Sequence, residues 1–154
     1  GERRAAAVLP ECLIVRGGWL YGREKGFVNA ILAAAAARPR LEVVEDEEGS
    51  PTYAPDLARA LAALVEAGAS GIVHVANQGG TSRLALARAA LALAGDDPAK
   101  VVPTTRAAFG RPAPRPRYSV LACARYARLT GAVLRPWREA LAEHVALRAK
   151  EVAR

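Results

Sequence analysis

Methionine is absent from this chain, and cysteine, histidine, tryptophan and phenylalanine occur only twice each. Cys12 and Cys123 stand far apart among apolar residues, which excludes a disulfide framework and leaves too few ligands for a metal site. Both are expected to be buried free thiols in a cytoplasmic protein. Long apolar runs are missing as well. The longest candidate, LAAAAA at 32–37, is closed by Arg38-Pro39-Arg40 and falls far short of the roughly 20 residues that cross a bilayer, so no membrane partner is expected. Arg3 and Arg4 precede an apolar stretch in the manner of a secretory signal, but Pro10 and Glu11 interrupt it and the strand-like LIV follows directly. There is no initiator methionine, so the chain reads as part of something longer. No Gly-x-Gly-x-x-Gly occurs anywhere, so the phosphate-binding turn of a dinucleotide fold is not in the sequence.

What the chain does have is small aliphatic residues. The hydrophobic fraction is 52% over 154 residues, enough for one domain spanning 1–154 with a real core. Charge is divided unevenly. Residues 1–102 hold 11 basic and 12 acidic groups, whereas residues 103–154 hold 11 basic and 3 acidic, which accounts for the net +7. A basic half suits a polyanionic partner, either nucleic acid or a nucleotide diphosphate. The arginines are scattered among prolines and helix faces with little aromatic interleaving, so nucleic acid is not expected.

Along the chain, CLIVR (12–16) is a short apolar run of the kind found in a buried strand, ending at Gly17-Gly18 where the backbone can turn sharply. Helices are predicted over 27–37, 55–67 (with Pro55 in the first turn and Gly68 as its stop) and from Thr81 or Ser82 to Ala94. Two more follow over 122–131 and from Pro136 onward. LEVVE (41–45) and GIVHVAN (71–77) read as strands and KVVPTT as a short extended piece, while FGRPAPRPRYSVL should run extended over the surface. Strand–helix alternation makes the fold α/β, with too few core strands for a complete doubly wound sheet.

One pair invites a catalytic reading. Tyr21 and Lys25 have the Tyr-x-x-x-Lys spacing of a short-chain dehydrogenase, in which the lysine lowers the tyrosine pKa from the same face of a helix. Gly22 and Gly26 bracket the pair, and each costs about 1 kcal/mol in a helix interior. The expected upstream serine is missing too, since the first serine is Ser50. The pair is therefore read as accidental.

Five blocks in order, LIVRGGWLYG, VVEDEEGSPTYAPDLA, GIVHVANQGGTS, RPRYSVL and LRPWREAL, resemble the C-terminal half of the dTDP-4-dehydrorhamnose reductases, which are extended short-chain dehydrogenases. The resemblance implies the substrate-binding part of that fold, with the last strands of a Rossmann-like sheet and without the dinucleotide-binding half. It implies NADH or NADPH as the intact protein's reductant with none bound by this portion, Mg2+ as a possible family cofactor, and a dTDP-sugar nucleotide as partner. Its register puts the catalytic tyrosine and lysine upstream. Substrate contacts would fall on Trp19, Ser50, Thr52 and Arg115, and Gly17 and Gly18 would lie beside the nicotinamide. Each has a structural alternative: Trp19 in packing, Gly49–Thr52 as a turn before a helix, and Arg115 as a surface cation. Arg16 is expected in a buried structural pair, His74 as a core histidine, and Trp137 as the residue that docks the last helix. An unpaired sheet edge would favour a homodimer.

The chain departs from the family pattern at Gly17-Gly18, where hydroxyl residues are usual, at Glu47, which adds charge near the expected diphosphate, and at Arg83-Leu84, where aromatics are usual. These leave open a related nucleotide-sugar epimerase or dehydratase. They also leave open a non-catalytic binding subunit like the methionine adenosyltransferase regulatory protein.

Overall fold

A computed structural model describes residues 1–23, 26–110, 113 and 115–152. The elements in order are α1 (Glu2–Val8), β1 (Leu13–Gly17), β2 (Trp19–Tyr21), α2 (Phe27–Ala37), β3 (Leu41–Val44), β4 (Glu48–Gly49), β5 (Pro51–Tyr53) and α3 (Ala54–Glu66). They continue with β6 (Gly71–Val75), β7 (Thr81–Ser82), α4 (Arg83–Leu93), β8 (Val101–Thr104), α5 (Arg106–Phe109), β9 (Tyr118–Ser119), α6 (Ala124–Thr130) and α7 (Trp137–Val152). The α/β class holds. The strands are more numerous than periodicity suggested, because the two-residue and three-residue ones carry no pattern of their own.

Four strand pairs are parallel, β1 with β6, β2 with β5, β3 with β8 and β4 with β9, while β4 pairs antiparallel with β7. Parallel partners need long crossovers, and here the crossovers interleave, with β2 to β5 running through α2 and β3. Among the described residues β1 pairs only with β6, so its other edge is open.

The apolar residues form two cores. The larger gathers Val28, Ile31 and Leu32 of α2, Leu86 and Leu91 of α4, and Leu141 and Val145 of α7 around β3 and Val101. The smaller places Ala60 and Leu64 of α3 and Tyr126 of α6 on one face of the β1–β6 pair, against Val73 and Val75. The other face carries Arg16 opposite His74, and Ile72, which is 41% exposed.

Helix ends follow local chemistry. Ser82 caps α4 by accepting from the Ala85 N–H at 3.1 Å, so of the two predicted caps it is the serine. Trp137 docks α7 as expected, 5% exposed, and its N–H donates to the Gln78 carbonyl at 3.0 Å.

Several expectations fail. Residues 2–8 form a helix with no buried residue, although no element was predicted there. Arg16 pairs with Glu2 of that helix at 2.8 Å with both side chains 44% exposed, so its pair is a surface one. His74 is only partly buried, because its face of β6 carries no second helix layer, and Cys12 and Cys123 are likewise partly buried. Phe109 closes α5 rather than starting an extended run, because Thr105 caps that turn and Gly110 ends it in the left-handed region at φ 65°.

Candidate functional site

Four of the five blocks meet around one loop, residues 46–50. At Gly18 the chain leaves the β1–β6 pair and enters β2, whose partner β5 follows that loop. The crossing is tight. The Trp19 N–H donates to the Ser50 carbonyl at 2.7 Å and the Gly18 N–H to Thr52 Oγ1 at 3.2 Å. A Cβ on Gly18 would lie 2.1 Å from the Ser50 oxygen, so close chain approach requires glycine here. Gly17 has no such need, because a Cβ there would make only ordinary contacts of 3.7–3.8 Å. Loop 46–50 is also tied to the later blocks. Leu121 N–H donates to Ser50 Oγ at 2.9 Å, Glu48 N–H to the Arg117 carbonyl at 2.7 Å, and Arg83 N–H to the Glu47 carbonyl at 3.3 Å.

Trp19 is the centre of this arrangement. Its indole edge lies on Gly49, where a Cβ would come within 2.4–2.7 Å of the ring atoms. The Arg83 guanidinium stands 3.8 Å from the indole centroid and 4.9 Å from that of Phe27. A guanidinium over an indole is worth roughly 0.5–2 kcal/mol. Position 83 thus contributes a cation–π stack on Trp19. The half-buried indole offers a flat apolar surface and an N–H donor beside a cation, a combination suited to a sugar or a base carrying phosphate.

The other predicted contacts divide. Ser50 and Thr52 are 2% and 0% exposed, and their hydroxyls hydrogen-bond the backbone, Thr52 Oγ1 also donating to the Ser50 carbonyl at 3.3 Å. They hold the loop's shape under Trp19. Arg115 is exposed, and what anchors it is its carbonyl, which accepts from Arg106 Nη1 at 2.5 Å. Glu47 is buried, 4% exposed, rather than standing open on the loop surface. Asp46 is engaged by Arg106, whose backbone N–H (2.8 Å) and side chain (3.3 Å) hold its carboxyl below the usual range.

Tyr21 lies on a strand, 2% exposed, with its hydroxyl unpartnered and its pKa pushed up by burial. Lys25 lies outside the described residues. A buried tyrosine on β2 lacks the helical geometry that a dehydrogenase acid–base pair requires, which agrees with the accidental reading.

A buried polar junction escaped sequence reasoning. Asp56 is 5% exposed and accepts from Asn77 Nδ2 (2.7 Å), Arg135 Nε (2.9 Å) and Arg135 Nη2 (3.0 Å), with Arg59 also on the carboxylate. Burial raises the Asp56 pKa, but the hydrogen bonds from Arg135 and Asn77 outweigh it and hold the carboxyl below its usual value. Asn77 Oδ1 accepts from the Tyr53 N–H at 2.8 Å, and Glu143 takes the remaining face of Arg135 at 2.6 Å. This junction joins the fifth block to the rest. The available signal was an aspartate two residues into a Pro-initiated helix and an arginine before Pro136, and neither names a partner.

Among the described residues no group of three or more His, Cys, Asp or Glu side chains could hold a metal. No helix of the described residues is long and apolar enough to cross a membrane.

Residues 1–149 match a family described as the RmlD substrate binding domain. The dTDP-4-dehydrorhamnose reductase of Mycobacterium tuberculosis is 45% identical over 149 residues, covering 95% of this chain and 49% of that protein. A crystal structure of a dTDP-4-dehydrorhamnose reductase from Clostridium acetobutylicum superposes with a TM-score of 0.89 at 35% identity, over 96% of this chain and 52% of that one. The Bacillus anthracis reductase in complex with NADP gives 0.80 at 34% identity, over 86% and 47%. The chain spans about half the length of the curated relatives it matches.

Proposed function

The chain belongs to the RmlD substrate-binding-domain family, and from that premise we propose that it is the sugar-nucleotide-binding half of a dTDP-4-dehydrorhamnose reductase. The intact protein would reduce the 4-keto group of a dTDP-linked sugar with NADPH. A bound nicotinamide would supply the hydride. Neither a glycine-rich phosphate turn nor a helical tyrosine–lysine pair occurs among these residues, so the cofactor and the proton donor would come from outside them. This chain's share is to bind and orient. Trp19 would pack its indole on the deoxysugar, and its N–H would donate to an oxygen there. Arg83 would keep the indole from swinging and place a positive charge near the diphosphate. Arg115, exposed on the neighbouring loop, would add a second charge.

The observation that carries this reading is the fixed setting of Trp19, on Gly49 and beneath Arg83, where the chain leaves β1. Ligands of open α/β sheets bind beyond the carboxyl ends of their strands, and Trp19 stands two residues past the end of β1. Calorimetric titration with dTDP-rhamnose tests it. Binding by the wild-type chain should weaken at least tenfold in Trp19→Ala, about 1.4 kcal/mol. A Trp19→Ala chain that binds as well as wild type removes Trp19 from the site. A wild-type chain that binds no dTDP-sugar means that these residues do not form a site by themselves.

A further inference from the structure

A cavity of about 250 Å³ lies between the last turns of α7 and the start of α3, lined by Tyr53, Pro55, His144, Leu147 and Arg148. His144, Leu147, Arg148 and Glu151 follow the 3,4 spacing that puts side chains on one helix face. Two of the lining residues, Tyr53 and His144, are polar and nearly buried. Tyr53 is 3% exposed, and its hydroxyl has no hydrogen-bond partner among the described residues. His144 is 4% exposed and meets Asn29 Oδ1 through Nε2 at 2.9 Å. Asn29 Nδ2 donates to the Gly22 carbonyl at 2.8 Å, so Oδ1 is the accepting atom and Nε2 carries the hydrogen. That leaves Nδ1 of His144 without a partner among the described residues. At the rim, Arg23 pairs with Glu151 at 3.1 Å, whereas Arg148 makes no ion pair among the described residues. The 13-residue α3 begins beside the cavity with no side chain capping it, and Asp56 in its first turn sets a carboxylate against the positive end of its dipole.

We propose that this cavity binds a small oxyanion, of the phosphate or carboxylate type, held by the Arg148 guanidinium, the Tyr53 hydroxyl and Nδ1 of His144. Arg148 supplies the charge, Tyr53 a donor, and His144 a second donor once its Nδ1 is protonated. Leu147 and Pro55 supply the apolar part of the lining. Without an anion, burial and the Arg148 charge both hold the imidazole pKa below its ordinary value, against the weaker opposing pull of Glu151. A bound anion reverses the balance, so His144 reports on occupancy. None of this depends on how the Trp19 cluster is read.

The chain has two histidines, His74 and His144, so imidazole NMR resolves the test, with His74 as internal reference. Titrating the whole chain with inorganic phosphate at constant ionic strength should shift the His144 resonances saturably in the roughly millimolar range. Its titration midpoint should rise while His74 stays put. Arg148→Gln, an outer-face change that should leave the amide spectrum folded, should weaken the effect at least tenfold, and Tyr53→Phe should weaken it less. Acetate producing the same saturation would extend the site to carboxylates, and acetate without effect would restrict it to phosphate. The proposal is overturned if His144 does not respond, if both histidines shift together, if chloride does the same, or if Arg148→Gln binds phosphate as wild type does.

Discussion

The two cores differ in how completely they are enclosed. The larger one is walled by three helices, α2, α4 and α7, and by β3 and β8, and its residues recur at helical spacing in all three helices. The smaller one is a single layer, with α3 and α6 laid over one face of two parallel strands, while the opposite face leaves Ile72 41% exposed. Parallel strands ordinarily have both faces covered. The larger core therefore behaves as a finished interior and the smaller as the border of a sheet. The Trp19 cluster stands where the chain passes between them.

Equal deletions in the two cores should break them unequally. Leu141 and Leu64 are both 0% exposed, one in each core. Leu141→Ala should cost about 4 kcal/mol, because its enclosed cavity cannot collapse, and Leu64→Ala about 2.5 kcal/mol, because a single layer can settle inward. Urea unfolding read from the midpoint at constant slope compares them, and equal losses would mean that the border is as rigid as the interior.

The Asp56 junction ties α3 to the end of β6 and the start of α7, so it sharpens the comparison by linking the two regions. Asp56→Ala removes the acceptor of Asn77 Nδ2 and of two Arg135 N–H groups, leaving Arg135 only Glu143, and should cost about 2–3 kcal/mol. Because the folded-state pKa is depressed, the unfolded chain takes up protons first as the pH falls. The stabilisation is therefore fully present above the ordinary aspartate value of 3.8 and is lost as the pH falls from there through the folded value. Asp56→Asn should flatten that acid limb in a series of melts from pH 6 to pH 3. An unchanged limb would assign it to other carboxylates.

The smallest expected effect has the opposite sign. The Tyr21 hydroxyl is buried in the larger core without a partner, so Tyr21→Phe should raise stability by about 1 kcal/mol in a thermal melt. In an intact reductase it should leave turnover unchanged. Loss of turnover would restore Tyr21 as the proton donor.

Helices over 27–37, 55–67 and 81–94 were legible to within a residue or so, because apolar spacing, prolines and stop glycines are local signals. The strands at 13–17, 41–44 and 71–75 were legible as apolar runs. Strands of two or three residues such as Glu48–Gly49 and Tyr118–Ser119 were not, since they exist only through their partners. The burial of Glu47 and the surface pairing of Arg16 with Glu2 were equally hidden. A charged residue looks the same in sequence whether its partner is water or a neighbour 14 residues away.

By itself the sequence determined the α/β class, the main helices, the absence of a glycine-rich phosphate turn, and five ordered blocks specific enough to name the family. Each rests on local spacing or on residue identity. Only the tertiary structure decided what the candidate residues do. Ser50 and Thr52 spend their hydroxyls on backbone groups, Gly18 answers to the Ser50 carbonyl, and Arg83 lies over Trp19, 64 positions away in the chain. The physical reason is that propensity and periodicity act within a few residues, whereas hydrogen bonds, close approaches and cation–π stacks depend on distances that exist only after the crossovers close.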